Sequence, residues 1–433
     1  MKSRPTLLLP AAAAVLALAG CASGPAGDAD PATSETAVPH GYVEGASEQQ
    51  EPQLRLVTLD DSGALHAFDP VTEESRELAD LAGDDVTRLA TDGRYLFASS
   101  EDGVLRIVDG GAWTVPHGDH AHYYLADARE VGEVDGGPGA GAAQVASSAT
   151  VTAAWFAGSG TGVLLDAEAL ADGEVTELGR VEGPAGPGVL VPMGDLVVAS
   201  TSTGGAAGGD REGGAAGGDS EGGAADGLRV LTAEGDVVDG ATASCPDLRG
   251  AASTRVGVVV GCSDGAVLAT QDDSGEVSFE QVPYPDGTIA ADVATSFEGR
   301  PGRPAVAAVA GSTGAWLFDA RAREWTLITT PEPLLRASAV GDSDGTVVAV
   351  DASGRVVVLD PTGVLAQTEP LLADDLVDGA LPDGVELEID VSRSYVNSPS
   401  AGVVHEIDHG DAARVARTLD VEGDAARFVE TGR

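Results

Sequence analysis

One pattern recurs along this chain and limits its fold more than any other feature. A short apolar strand is followed by a Gly or Asp turn and then by a second strand that often begins with Gly and ends near Asp. The second strand reads GALHAFDP from Gly63, GVLRIVDG from Gly103, TGVLLDAE from Thr161 and GLRVLTAE from Gly227. It continues as GAVLATQD from Gly265, GAWLFDAR from Gly314, GRVVVLDP from Gly354 and AGVVHEID from Ala401. Strands such as YLFASS from Tyr95, GVVVGC from Gly257 and TVVAVDA from Thr346 precede these copies. They are short and rich in Val, Ala and Phe, as buried strands are. Asp92-Gly93, Asp102-Gly103 and Asp344-Gly345 supply hairpin turns. The eight copies follow one another at intervals of roughly 40 to 65 residues, the spacing of propeller blades. A small antiparallel sheet cannot bury both faces alone, whereas a ring of sheets does. The chain is therefore expected to be all-β, a β-propeller of eight blades, with seven as the alternative because the third and fourth copies are irregular. The first copy, from Leu54, lacks an innermost strand. The tail ARFVETGR, from Ala426, is expected to supply it, so that the N- and C-terminal strands close the ring.

Outside these repeats three segments stand apart. Residues 1–20 read as a lipoprotein signal peptide: Lys2 and Arg4 precede an apolar run, Leu7 to Leu18, too short for a comfortable membrane span. The run ends in Leu18-Ala19-Gly20-Cys21, a lipobox. Cys21 is thus the expected lipidation site, and the lipid the membrane anchor. The protein is expected extracytoplasmically, on the outer face of the cytoplasmic membrane. Residues 21–50, rich in Ala, Gly, Pro, Ser, Thr and acids, read as a flexible tether, and residues 51–433 as the propeller. Within it, Gly204 to Gly227 is a low-complexity Gly/Ala/acidic insertion that has too little apolar surface to offset its ordering entropy.

The chain carries 70 acidic against 24 basic residues, a net charge of −46, and no lysine after Lys2. Such a surface repels nucleic acid. Cys245 and Cys262 remain once Cys21 is assigned, an even pair in an oxidising compartment. They flank a stretch that reads as strand, turn, strand. A turn centred on Ser253 and Thr254 would set them across the open end of one hairpin as a disulfide, with metal thiolates as the alternative.

Seven histidines occur in the chain, and His117, His120 and His122 fall together in WTVPHGDHAHYY, Trp113 to Tyr124. This stretch lies between the second and third repeats, where a connection between blades would lie near the central channel. His120 and His122 project to one side of an extended piece. Gly118 allows His117 to fold over them. Asp119 can ligate or orient a ring. Three neutral imidazoles with a carboxylate suit zinc; an exposed polar loop is the bland alternative. VVHEIDHGD, from Val403, adds His405 in a strand and His409 in a turn as second-site candidates. His66 reads as structural and His40 lies in the tether. No GxSxG elbow, Rossmann fingerprint or P-loop is present, and paired acids such as Asp60-Asp61 and Asp272-Asp273 fall in turns. No catalytic set can be assembled, so the chain is expected not to be an enzyme.

On a propeller, HGDHAHYY resembles the AztD-type zinc metallochaperones. The similarity extends to PHGYVEGA from Pro39, GAWTVPHGDHAHYY from Gly111, CPDLRG and VVGCSDG around the cysteines, and VVHEIDHGDAARVARTLD near the end. It implies a secreted zinc-binding β-propeller that hands zinc to the solute-binding protein of a zinc ABC importer. His117, Asp119, His120 and His122 would lie in the zinc-binding region, with His405 in a second family-like segment. The sequence departs from the family at Arg249 and across Gly183 to Pro192, where further histidines are expected. A cation cannot replace an imidazole ligand. The alternative function is a cell-surface interaction scaffold without a physiological metal.

Overall fold

A computed structural model of the chain describes residues 41–117, 120–202 and 225–433. The chain divides into a unit Met1–Tyr42, of which Gly41 and Tyr42 are described, and a unit Val43–Arg433. The signal peptide, Cys21 and His40 lie outside the described residues, as does most of the Gly-rich insertion. Among the described residues no helix is long and apolar enough to cross a membrane.

Unit Val43–Arg433 is a β-propeller. Among the described residues eight sheets of three or four strands follow one another along the chain, and a ninth, three-stranded sheet is added to them. Each of the eight repeats read from the sequence coincides with a strand next to the outermost one, for example Val104–Asp109, Thr161–Asp166 and Arg355–Asp360. The third and fourth sheets, which the sequence marked as irregular, are both four-stranded, each with one register shift, between Leu164 and Leu165 and between Arg229 and Leu231. The sixth is the short one. Its innermost place is held by a single bridge, Glu298 to Ala307.

Burial explains why the strands arrange themselves this way. Arg55–Leu59, Tyr95–Ser100 and Val151–Phe156 are buried along their whole length. Outermost strands such as Val237–Ser244 alternate between exposed and half-buried positions. Inner strands are therefore covered on both faces and the outer edge faces water. The apolar clusters lie between neighbouring sheets. Phe97, Leu105 and Ile107 of the second sheet meet Ala154, Phe156 and Val163 of the third, and Val348, Val350 and Val358 of the seventh meet Leu387, Val396 and Ile407 of the eighth. One cluster joins the last sheet to the first, through Tyr395, Val404 and Leu419 against Leu56, Phe68 and Phe428. The row of interfaces thus closes on itself.

Closure is also made by the backbone. Arg427–Thr431 pairs antiparallel with Arg55–Leu59, with Thr58 opposite Phe428 and Arg55 opposite Thr431. The tail supplies the innermost strand of the first sheet, as its sequence suggested. Gly432 follows at φ 88°, where a Cβ would run into the carbonyl of Gln53.

Three sequence boundaries shift. Ser47–Gln49, inside the expected tether, form a strand that pairs with His120–Leu125. Ala225 is buried and Gly227 opens the strand Gly227–Thr232, so the end of the expected insertion already belongs to the fourth sheet. Cys245 and Cys262 are disulfide-bonded, with Cα atoms 5.1 Å apart, but not across one hairpin. The hairpin register pairs Ser253 with Val258, which places the turn at residues 254–257 and Gly250 opposite Gly261, whose carbonyl accepts the Arg249 amide. Asp247, at φ 49°, reverses the chain before that. Cys245 instead follows Val237–Ser244, the outer strand of the fourth sheet, so the disulfide ties the fourth sheet to the fifth.

The inner strands carry a second set of charges. Glu430 on the closing strand is fully buried, and Glu388 and Glu430 both pair with Arg433, at 2.8 and 3.5 Å. Burial pushes the carboxyls of Glu386 and Glu430 up to about 8, only partly opposed by Arg336 and Arg433 respectively. Burial raises Glu298 as well.

Two consequences can be measured. Replacing both Cys245 and Cys262 by serine is expected to lower unfolding stability by about 3 kcal/mol, since the bond closes a short loop; an unchanged urea midpoint would remove the link from the account of stability. The raised carboxyls act in the opposite pH direction to most acids. Glu430 keeps its proton in the fold up to about pH 8 but releases it near the model-compound value of 4.5 when unfolded. Its contribution is complete below that lower value and is lost as pH rises through about 8, at about 1.4 kcal/mol per pH unit. Glu430→Gln is therefore expected to flatten the fall in melting temperature between pH 6 and pH 8, and parallel curves for the two proteins would refute this.

Candidate metal centre

The histidine stretch does not connect two blades. It forms a hairpin, Ala112–His117 and His120–Leu125, inserted between the third strand of the second sheet, Val104–Asp109, and its outer strand, Arg129–Asp135. GVLRIVDG is the third strand of its sheet, so the segment after it lies within a blade and not between two. Gly118 and Asp119 lie outside the described residues.

The hairpin is fixed at its base. Asp109 is 2% exposed, pairs with Arg94 through two hydrogen bonds of 2.7 and 3.2 Å, and accepts the Gly111 amide at 3.0 Å. Gly111 has φ 75°, and a Cβ there would meet the Ala126 carbonyl. The Arg94 guanidinium lies 3.9 Å from the centre of the Trp113 ring. Trp113 stacks on Tyr124 at 5.1 Å, and Tyr124 lies parallel to His122 at 6.2 Å. Thr114 donates to the carbonyl of Gly432, just beyond the ring-closing strand. A column from Asp109 through Arg94, Trp113 and Tyr124 thus reaches His122.

Register decides which side chains meet. Trp113 lies opposite Tyr124, Val115 opposite His122 and His117 opposite His120. Directly opposed residues share a face, as do residues two apart on one strand. His117, His120 and His122 therefore occupy one face, as the alternation of the sequence suggested for the last two. Their ring centres lie 4.9 to 5.5 Å apart. Their candidate donor nitrogens all lie within 4.8 Å of one another, the only such group of three or more potential ligands among the described residues. The Nε2 atoms of His120 and His122 are 3.2 Å apart, close to the edge of about 3.3 Å between two nitrogens in a tetrahedral zinc site. His122 is buried, whereas His117 and His120 are exposed.

A third strand completes the face. Ser47–Gln49 places Glu48 opposite Tyr124, diagonal to His122, and Glu48 Oε1 lies 2.6 Å from His122 Nδ1. The sequence offered no sign of this residue, one acid among many in a segment of tether-like composition. Trp113 and Tyr124 were visible as flanking aromatics, but their stacking needs the register.

The other histidines are not gathered here. His405 lies in the strand Val403–Asp408, buried, with Nδ1 3.3 Å from Thr418 Oγ1. His409 is buried with Nδ1 2.9 Å from Ser394 Oγ. Burial holds both imidazoles below the ordinary histidine range, against Asp375 for the first and mainly Asp408 for the second. His66 lies between Asp60 and Glu422, at 3.8 and 3.2 Å. Arg249 forms an ion pair with Asp247.

No family model and no curated protein matches the chain. Solved structures do. AztD from Citrobacter koseri is 19% identical with a TM-score of 0.70, the match covering 88% of this chain and 98% of that one. The apo form of AztD from the same organism gives 18% identity and a TM-score of 0.69 over the same shares. The dihydro-heme d1 dehydrogenase NirN, in complex with DHE, is 14% identical with a TM-score of 0.52, covering 86% of this chain and 74% of that one. Likeness at such identity carries the fold: the chain resembles AztD as a β-propeller over most of its length, with a histidine triad on a hairpin added to its second sheet.

Proposed function

We propose that this chain is a lipid-anchored extracytoplasmic zinc-binding protein that passes zinc to the solute-binding protein of a zinc ABC importer. The observation that carries the reading is the convergence of three imidazoles on one face of the hairpin. The AztD-like fold and the HGDHAHYY motif support it. Three neutral histidines supply three ligands of a tetrahedral site and leave a fourth position for water, for Asp119 or for a ligand of the acceptor. That open position suits transfer, because an incoming ligand can bind before the departing ones leave. The exposed His117 and His120 are the ones an acceptor reaches, while the buried His122 holds the ion to the protein. We assign the cargo to this triad and not to His405 or His409, whose rings are buried and each bonded through one nitrogen to a hydroxyl.

The remaining parts of the proposal follow from the sequence. Cleavage before Cys21 and its lipidation would hold the propeller at the outer face of the cytoplasmic membrane, on a tether of residues 21–46 ahead of the strand Ser47–Gln49. The net charge of −46 favours cations over anions near the surface.

Calorimetric titration of the chain lacking residues 1–21 tests the reading. Wild type is expected to bind one zinc ion, and His122→Ala to lose affinity on the order of a hundredfold while the apo melting temperature stays close to wild type. Apo importer solute-binding protein mixed with the loaded chain is expected to gain zinc. Equal zinc affinity in wild type and a His117→Ala, His120→Ala, His122→Ala variant would remove the triad, and absence of any binding near neutral pH would favour a metal-free interaction scaffold.

A further inference from the structure

The geometry points to Glu48 as a positioning residue for the triad: it fixes the ring of His122 and thereby couples metal affinity to docking of the N-terminal segment Ser47–Gln49. This rests on the zinc reading above.

The two ring nitrogens of His122 meet different partners. Nδ1 lies 2.6 Å from Glu48 Oε1, and Nε2 lies 3.2 Å from His120 Nε2. An ionised carboxylate has only acceptors to offer, so Nδ1 is the protonated nitrogen of a neutral ring held this way. The lone pair is then on Nε2, the atom that faces His120. A carboxylate behind a metal-binding imidazole selects the tautomer, fixes the ring and raises the basicity of the ligating nitrogen. The Tyr124 ring lies 6.2 Å away and nearly parallel to it. Glu48 therefore acts through His122 and not as a ligand of its own.

The unusual part is where Glu48 comes from. Its strand spans three residues and pairs with His120–Leu125, the strand that carries His120 and His122. Beyond the ladder it is held by Ser47 Oγ, which donates to the Leu125 carbonyl at 3.0 Å. So short an edge strand has little stability of its own, and the Glu48–His122 bond adds to the ladder and to the Ser47 bond that dock it. By linkage, whatever factor docking adds to zinc affinity, zinc must return to docking. Zinc binding then tightens the segment, and release of the segment loosens the zinc.

Three measurements on the chain lacking residues 1–21 test this. Glu48→Ala is expected to weaken zinc binding by about 10- to 100-fold, with Glu48→Asp recovering part of the loss. In the apo protein, the side-chain nitrogen NMR shifts of His122 are expected to report Nδ1–H in wild type and a tautomer mixture in Glu48→Ala. Amide exchange across Ser47–Gln49 is expected to slow on adding zinc to wild type but not to Glu48→Ala. Unchanged affinity together with an unchanged tautomer would overturn the proposal. A protein that binds no zinc but shows the Glu48-dependent tautomer would sink the zinc reading while leaving the positioning of His122 intact.

Discussion

The pairing of Arg427–Thr431 with Arg55–Leu59 is the interaction on which the rest of the molecule depends. The third to eighth sheets are each built from consecutive strands, but the first is made from both ends of the chain. Without the tail strand the first sheet would lose its inner edge, and the apolar cluster that joins Phe428 to Leu56, Tyr395 and Val404 would be opened to water. Closure also reaches the candidate metal centre. Gly432 donates to Gly93 and accepts from Thr114, so the residue after the closing strand bonds both the first turn of the second sheet and the base of the histidine hairpin.

The hairpin shows how a repetitive scaffold carries a site that the repeat does not contain. It leaves the second sheet through Gly111, whose backbone no larger residue would adopt easily. It is aimed by the Arg94–Trp113 contact, with Arg94 clamped by the buried Asp109. Cross-strand register then does the chemistry of assembly: the pairing of Trp113 with Tyr124 sets that of His117 with His120. A one-residue slip would send half of the set to the other face. The triad therefore depends on packing two residue pairs away from it.

Much of this was legible in the sequence, for a physical reason. The strands beside the outer edge are buried on both faces, so their continuous apolar runs and their Gly and Asp boundaries survive as a readable pattern. The tail was legible because the first repeat lacked a partner for its inner edge. What was not legible depends on distances between segments. The short inner edge of the sixth sheet, one bridge at Glu298, has no strand pattern. The disulfide was correctly paired but assigned to one hairpin, since nothing in CPDLRG announces that the chain reverses at Asp247. The histidine stretch was recognised by composition and misplaced by topology, because two short strands around Gly118 look like a loop. Glu48 was invisible: a three-residue strand has no periodicity to detect, and its meaning lies wholly in what stands opposite.

The position of Ser47–Gln49 has a mechanical consequence. These residues come before the first strand of the ring, joined to it along the chain by the short stretch that leads to Arg55. Tension arriving from the N-terminal side would reach this three-residue pair before any strand of the eight sheets. The segment that holds Glu48 against His122 is thus the first element under load, and the ring behind it, closed by its own last strand, need not deform for that element to peel away.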